Sequence, residues 1–454
     1  MSPLDCILRS VRVVTPKGIQ PLEIGIAEGR IVELSHTIAS GAREELSYEG
    51  GLVVPGMIDA HVHFNEPGRT DWEGFASGSA AAAAGGVTTV FDMPLNSSPA
   101  TVTPEAFHAK AACAAVRSRV KTRLWGGLIP GYLDQLEPLH ACGVIGFKAF
   151  MSNSGIDEFP WCDTRTLRAG MRIIGRLPGM CLAVHAEDEA LTSKLSAEAA
   201  EKGRTDPATF VASRPIEAEL RAIREVLELA GETGCPLHIV HVSCPEGVAL
   251  AADARRRGLD VSVETCPHYL TLTLEDLDCL GPLAKCAPPL RSAEVREGLW
   301  ASIARGQVDT IGSDHSPCPP ELKTGRPFME AWGGISGIQH ALPLTYSEGL
   351  RRGIPVQRLA ALLSANPGRR FHLGPDSGVL KIGAPADLCL LVPGTGRPIL
   401  KSSLMDRHRH SPYVGQSPSW RVHRTWVDGK TVFAEGLPPR FTFDMVTGND
   451  PLDS

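Results

Sequence analysis

Between about residues 54 and 374 the chain repeats one pattern, a short apolar run followed by a connection of helix length. No other feature narrows its choice of fold so far. The runs lie at 57–64, 88–93, 124–129, 144–150, 181–186, 236–242, 261–265 and 310–313. Eight short strands joined by helical crossovers pair in parallel with right-handed connections, which predicts a (β/α)8 barrel. One connection shows the helical logic. After Ser213 and Pro215, the apolar residues Ile216, Leu220, Ile223, Val226, Leu227 and Ala230 recur with helical period, and Gly231 and Gly234 supply a stop. A doubly wound open sheet is the competing arrangement. Polar residues tip the balance: Asp59, His61 and His63 on the first run, then Lys148, His185, His241 and Asp314, each within or just after a different run. A closed barrel brings so many strand ends to one point, and an open sheet does not.

The two ends of the chain are β-rich. Residues 23–34 read as a hairpin turning at Glu28-Gly29, 387–392 as an apolar strand, and 426–433 as a hairpin around Asp428-Gly429. Residues 436–454 read as a loosely held tail. With 45 basic against 51 acidic residues, no charge excess points to a phosphate backbone or an anionic membrane, and neither is expected as a partner. Twelve Cys, none spaced C-x-x-C, are too few for a disulfide scaffold and fit a reducing compartment. The opening MSPLDCILRS lacks the basic start and apolar stretch of a signal peptide, and the small-residue run 80–86 is too short to span a bilayer. The expected location is the cytoplasm.

His61 and His63 stand two residues apart in a strand, so both imidazoles project from one face as a two-point metal grip. Alone, such a pair is as well explained by hydrogen-bonded core histidines. His185, His241 and Asp314 change this, because each ends an apolar run. Four His and a carboxylate at converging strand ends supply the nitrogen and oxygen ligands of Zn²⁺ or a similar divalent ion. His238, His268 and His315 are read as supports or substrate contacts. Lys148 is the odd member, since an ammonium has no lone pair and is repelled by cations. A Lys that reaches solvent or pairs with an acid at the rim is the simpler account. The alternative is a neutral amine, favoured by burial, that adds carbon dioxide and becomes an anionic carbamate.

These residues resemble the amidohydrolase superfamily, in its cyclic-amidase branch of dihydroorotases, hydantoinases and allantoinases. The specific marks are Pro55-Gly-Met-Ile-Asp-Ala-His-Val-His63, Glu66-Pro67-Gly68, Gly146-Phe-Lys148, Glu264-Thr-Cys-Pro-His268-Tyr, Pro288-Pro-Leu-Arg291 and Ser313-Asp-His-Ser-Pro317. The resemblance implies two divalent ions, zinc foremost with cobalt, manganese or iron also accepted. One is held by His61, His63 and Asp314, the other by His185 and His241, and carbamylated Lys148 bridges them. It implies attack on a ring carbonyl by a hydroxide held between the ions, with Asp314 as general base and then acid. It also implies that residues 1–54 and 375–435 fold together as a small β-sandwich beside a catalytic barrel at 55–374, and that the chain forms a homo-oligomer, a tetramer by family likeness.

Three positions bear on the substrate. Dihydroorotases carry Arg two residues after the second His, where it pairs with a substrate carboxylate; here Asn65 stands there. Their second His of Asp-His-Ala-Pro-His is replaced by Cys318, and the Tyr of hydantoinases, five residues beyond the bridging Lys, by Asn153. By contrast, Leu283-Ala-Lys-Cys286-Ala-Pro-Pro, Ser316-Pro-Cys318-Pro-Pro, Ala331-Trp332-Gly333-Gly334 and Ser411-Pro-Tyr-Val-Gly415 look like the allantoinase side of the branch. That likeness implies hydrolysis of allantoin to allantoate, with hydantoinase, dihydropyrimidinase or dihydroorotase activity as alternatives. Allantoin is a neutral ring bearing a ureido group, so it needs amide-like hydrogen bonds and no counter-ion. Asn65 and Asn96 suit that need, and family similarity adds backbone groups near Cys286 and Gly333. A non-catalytic assembly protein on the same fold would be marked by lost ligands, yet every position of the two-ion pattern is filled.

Overall fold

The computed structural model describes residues 4–436, so the tail expected at 436–454 lies almost wholly outside the described residues. Eight parallel strands form the barrel: β1 (Met57–Val62), β2 (Val87–Asp92), β3 (Lys121–Leu124 continued by Gly126–Gly127), β4 (Phe147–Phe150), β5 (Leu182–His185), β6 (Leu237–Ile239), β7 (Val261–Thr265) and β8 (Thr310–Ile311). Neighbours in sequence are neighbours in space from β1 to β8. Closure comes from Val62 bridging His315, with the His63 amide donating to the His315 carbonyl at 2.8 Å. The apolar run at 124–129 forms less strand than expected, because the ladder breaks at Trp125. That residue's amide turns to the Asp92 carbonyl, and its indole N–H donates to the Ala60 carbonyl at 3.0 Å.

Each crossover carries helix. The segment after β5 ends in Ile216–Thr233, whose buried residues Ala222, Ile223, Val226, Leu227 and Ala230 form the stripe facing the sheet. This helix runs through Gly231 and stops at Gly234, whose φ of 71° is the left-handed cap that glycine adopts without penalty. Side chains of Thr103, Asp163, Asp188, Asp206 and Ser292 cap other helices by accepting from the third residue on.

Both chain ends contribute to one six-stranded sheet, ordered Lys430–Ala434, Trp420–Val427, Leu388–Pro393, Leu52–Pro55, Arg12–Thr15 and Gly18–Pro21. A four-stranded sheet of Arg30–Ser35, Glu23–Ala27, Leu4–Arg9 and Ala42–Ser47 packs on it through Leu8, Val13, Ile24, Ile26, Val53, Leu388 and Trp426. The architecture is thus a TIM barrel with a small β-sandwich built from both ends. Lys121 of β3 ties the two, its ammonium 2.9 Å from Asp387 and 2.7 Å from Asp428. Among the described residues no helix is long and apolar enough to cross a membrane.

Candidate metal centre

The C-terminal ends of the barrel strands deliver the polar residues to one funnel. His61 lies on β1 and His63 just past its end, and Asp314 follows β8. Their ligand atoms all lie within 4.8 Å of one another, with Asp314 Oδ1 at 3.3 Å from His61 Nε2 and 3.5 Å from His63 Nε2. On the other side His185 closes β5 and His241 follows β6, with His185 Nδ1 at 3.0 Å from His241 Nε2. The groups adjoin, since the His61 and His241 ring centres are 5.5 Å apart. Lys148, on β4, is fully buried, and its Nζ has no hydrogen-bond partner.

The electrostatics follow from burial. Desolvation pushes His63 and His185 below the usual imidazole range and His241 well below it, so these rings keep lone pairs to give to a cation. Burial likewise lowers the Lys148 amine to about 7 against the pull of Asp314 and Glu264. Asp314 goes the other way: burial opposes its charge, but His61, His63 and His241 outweigh it and hold the carboxylate ionised far below its ordinary range. Several of these residues sit on strained backbone. Of the nine non-glycine residues with positive φ among the described residues, Asn65, Asn96, His241 and Asp314 all line the funnel. Such strain persists only where the surroundings over-determine the conformation.

Supporting groups fix the imidazoles. Glu264 of β7, wholly buried, places Oε1 2.8 Å from His61 Nδ1 and Oε2 3.6 Å from His238 Nε2. Burial raises the Glu264 carboxyl, but His61 and His238 together bring it down to about 2. A carboxylate there accepts the hydrogen bond of Nδ1–H, fixing the proton on Nδ1 and leaving Nε2 of His61 with its lone pair. Glu187 does the same for His185, sitting 2.8 Å from Nε2 while it also pairs with Arg214, so that Nδ1 is the free nitrogen. The Asn96 amide lies 3.3 Å from His63 Nδ1. Asp92, at the end of β2, accepts from the Phe64 amide at 2.6 Å and pairs with buried Lys110 at 2.6 Å, which pins the chain just past the histidine pair.

The remaining expected residues fall as follows. Asn65 is buried, donates to the Pro317 carbonyl at 3.3 Å, and leaves its amide oxygen unpartnered. Cys286 is buried, and desolvation pushes its thiol up to about 12, so it offers wall and not nucleophile. Gly333 is exposed, on the loop that leaves the barrel after Asp314 and returns at Ile335. Of the lower-weighted histidines, His238 lies inside the barrel against Glu264 and Ser262, His268 is buried with both ring nitrogens unpartnered, and His315 faces Glu73. Sequence reasoning did not single out Glu264 and Glu187 as orienting groups. An acid interrupting the apolar strand Val261–Thr265, and another two residues past a strand-ending His, were the available signals. A cavity of about 300 Å³ at the opposite, N-terminal end of the strands, lined by Arg176, Met180, Asp260, Arg370 and His372, holds none of these groups.

The donor set fits divalent cations. His61, His63 and Asp314 converge on one point, His185 Nδ1 and His241 Nε2 face each other beside it, and the buried Lys148 amine has no hydrogen-bond partner. An amidohydrolase family model matches residues 52–432. The allantoinase of Deinococcus radiodurans is 47% identical over 434 residues, covering 95% of this chain and 96% of that protein. The allantoinase of Rubrobacter xylanophilus is 49% identical over 437 residues, 96% of each. Among solved structures, the L-hydantoinase (dihydropyrimidinase) of Arthrobacter aurescens superposes with a TM-score of 0.91 at 33% identity, covering 96% of this chain and 97% of that one.

Proposed function

The chain belongs to the amidohydrolase family, and we propose that it adds water to the ring amide of allantoin, opening it to allantoate. It is an enzyme, and its substrate is a small molecule. The meeting of His61, His63 and Asp314 beside His185, His241 and an unpartnered Lys148 carries the chemistry. Near-full-length likeness to allantoinases supports the choice of substrate.

His61, His63 and Asp314 would hold one divalent ion and His185 with His241 a second, zinc being our first choice and cobalt, manganese or iron acceptable to the same donors. Lys148 would join them as a carbamate. Its amine, brought to about 7 by burial, is about half neutral at neutral pH. The neutral amine attacks carbon dioxide, an N–C bond forms, and one proton leaves to give an anion where an ammonium is unwelcome. The ions, when bound, acidify water and polarise the ring carbonyl. Asp314, ionised in its bed of imidazoles, takes the proton of the attacking water and returns it to the ring nitrogen as the C–N bond breaks. Glu264 and Glu187 hold the imidazole tautomers meanwhile. The unpartnered amide oxygen of Asn65 accepts from a ring or ureido N–H, Asn96 contributes a second amide, and backbone groups near Cys286 and Gly333 hold the ring.

A hydantoinase reading draws on the solved neighbours that carry that name. The test is elemental analysis followed by turnover of allantoin, hydantoin and dihydroorotate at equal metal content. We expect two ions per chain and allantoin preferred by at least about tenfold in kcat/KM; a preference for dihydroorotate would overturn the role given to Asn65. The reading extends to a homo-oligomer, with a tetramer expected in solution, working in the cytoplasm. All twelve Cys are free thiols, which supports a reducing compartment.

A further inference from the structure

Two lysines near the mouth are buried without any acid to neutralise them. Lys285 and Lys323 are 4% and 3% exposed, and among the described residues neither has a carboxylate within ion-pair distance. Their hydrogen bonds all go to backbone carbonyls, and in a reciprocal way. Lys285 donates from the 281–286 segment to the carbonyls of Phe328, Met329 and Ala331 at 2.7, 2.9 and 2.6 Å. Lys323 donates from the facing loop back to Pro282 at 2.7 Å, and closes its own loop on Trp332 at 3.1 Å. The Lys285 ammonium also lies 4.6 Å from the ring centre of Phe210 and 5.5 Å from that of Phe328.

The bonded residues are neighbours of the groups assigned to the ring. Lys285 precedes Cys286, and Ala331 and Trp332 precede Gly333. Trp332 in turn donates to the Ser316 carbonyl at 3.3 Å, two residues past Asp314, and stacks edge-on against Trp72 at 4.8 Å. We propose that Lys285 and Lys323 are positioning residues that rivet the 281–286 segment to the 323–333 loop, setting the distance between the two backbone walls that clasp the substrate. This rests on the assignment of ring contacts to the backbone near Cys286 and Gly333. Burying an ammonium is costly, and desolvation lowers Lys285 to about 7 and Lys323 to about 8. A loop with no task in binding would be closed more cheaply by apolar side chains.

Lys285→Met and Lys323→Met keep the chain length and remove the donors, and each leaves the other lysine's bonds in place. In the metal-loaded enzyme with allantoin we expect KM to rise about tenfold and kcat to fall less than about threefold, at unchanged metal content. Amide hydrogen exchange over 319–334 should quicken. Lys285→Arg, which retains a charged donor, should bring KM back to within about threefold of the parent. Exchange at the parent rate in a folded Met variant would overturn the rivet itself. Faster exchange with unchanged KM would overturn the placing of the ring at Cys286 and Gly333, and the positioning role with it.

Discussion

Replacing Lys148 with Met should stabilise the metal-free protein while removing its capacity for a second ion. The amine falls from its ordinary 10.5 to about 7 when folded. Between those values the unfolded chain binds more protons than the folded one, so stability rises with pH across that window. The penalty is complete below pH 7 and gone above pH 10.5. At pH 7 the unfolded Lys is fully charged and the folded one half charged, which at about 1.4 kcal/mol per unit costs about 4 kcal/mol. Relaxation and entering water reduce this, leaving about 2–4 kcal/mol for Met to recover. The assay is urea unfolding of chelator-treated protein in carbon dioxide-free buffer at pH 7 and pH 10.5, followed by fluorescence. The Met variant should have the higher midpoint at pH 7 and no advantage at pH 10.5. Equal midpoints at pH 7, or an advantage that ignores pH, would refute the view that Lys148 is held as a strained amine awaiting modification. In the metal-loaded state the same change should lower the ion count below two and turnover at least about a thousandfold. Lys148→Ala should recover part of its activity with short carboxylic acids that occupy the vacated space.

Glu264→Gln keeps the shape beside His61 but not the charge, and affinity for the ion held by His61 and His63 should drop about 10–100-fold, read by metal titration. Gly312→Ala would set a methyl 2.5 Å from Glu264 Oε2 and 3.1 Å from His61 Cβ, so metal content should fall and the midpoint drop by about 1–3 kcal/mol. Gly333→Ala, with nothing within 4 Å of the added carbon, should leave metal content unchanged. Lys110→Met strands the buried Asp92 carboxylate and should cost about 3–5 kcal/mol in thermal or urea unfolding.

Much of this molecule is written locally. Strand and helix periods, the turns at Glu28-Gly29 and Asp428-Gly429, and the shared face of His61 and His63 depend on residues within a few positions of each other, so the barrel and its ring of histidines are legible from the chain alone. What the local pattern cannot carry is the company each side chain keeps. That Glu264 reaches His61 across 203 positions, that His185 meets His241 across 56, that Asn96 turns to His63, and that the Lys148 amine finds no hydrogen-bond partner are outcomes of barrel closure. The strand ladder aims these groups, and the exclusion of water then decides their charge. Proton affinity inside a protein depends on every neighbour in three dimensions, and only the folded barrel assembles those neighbours.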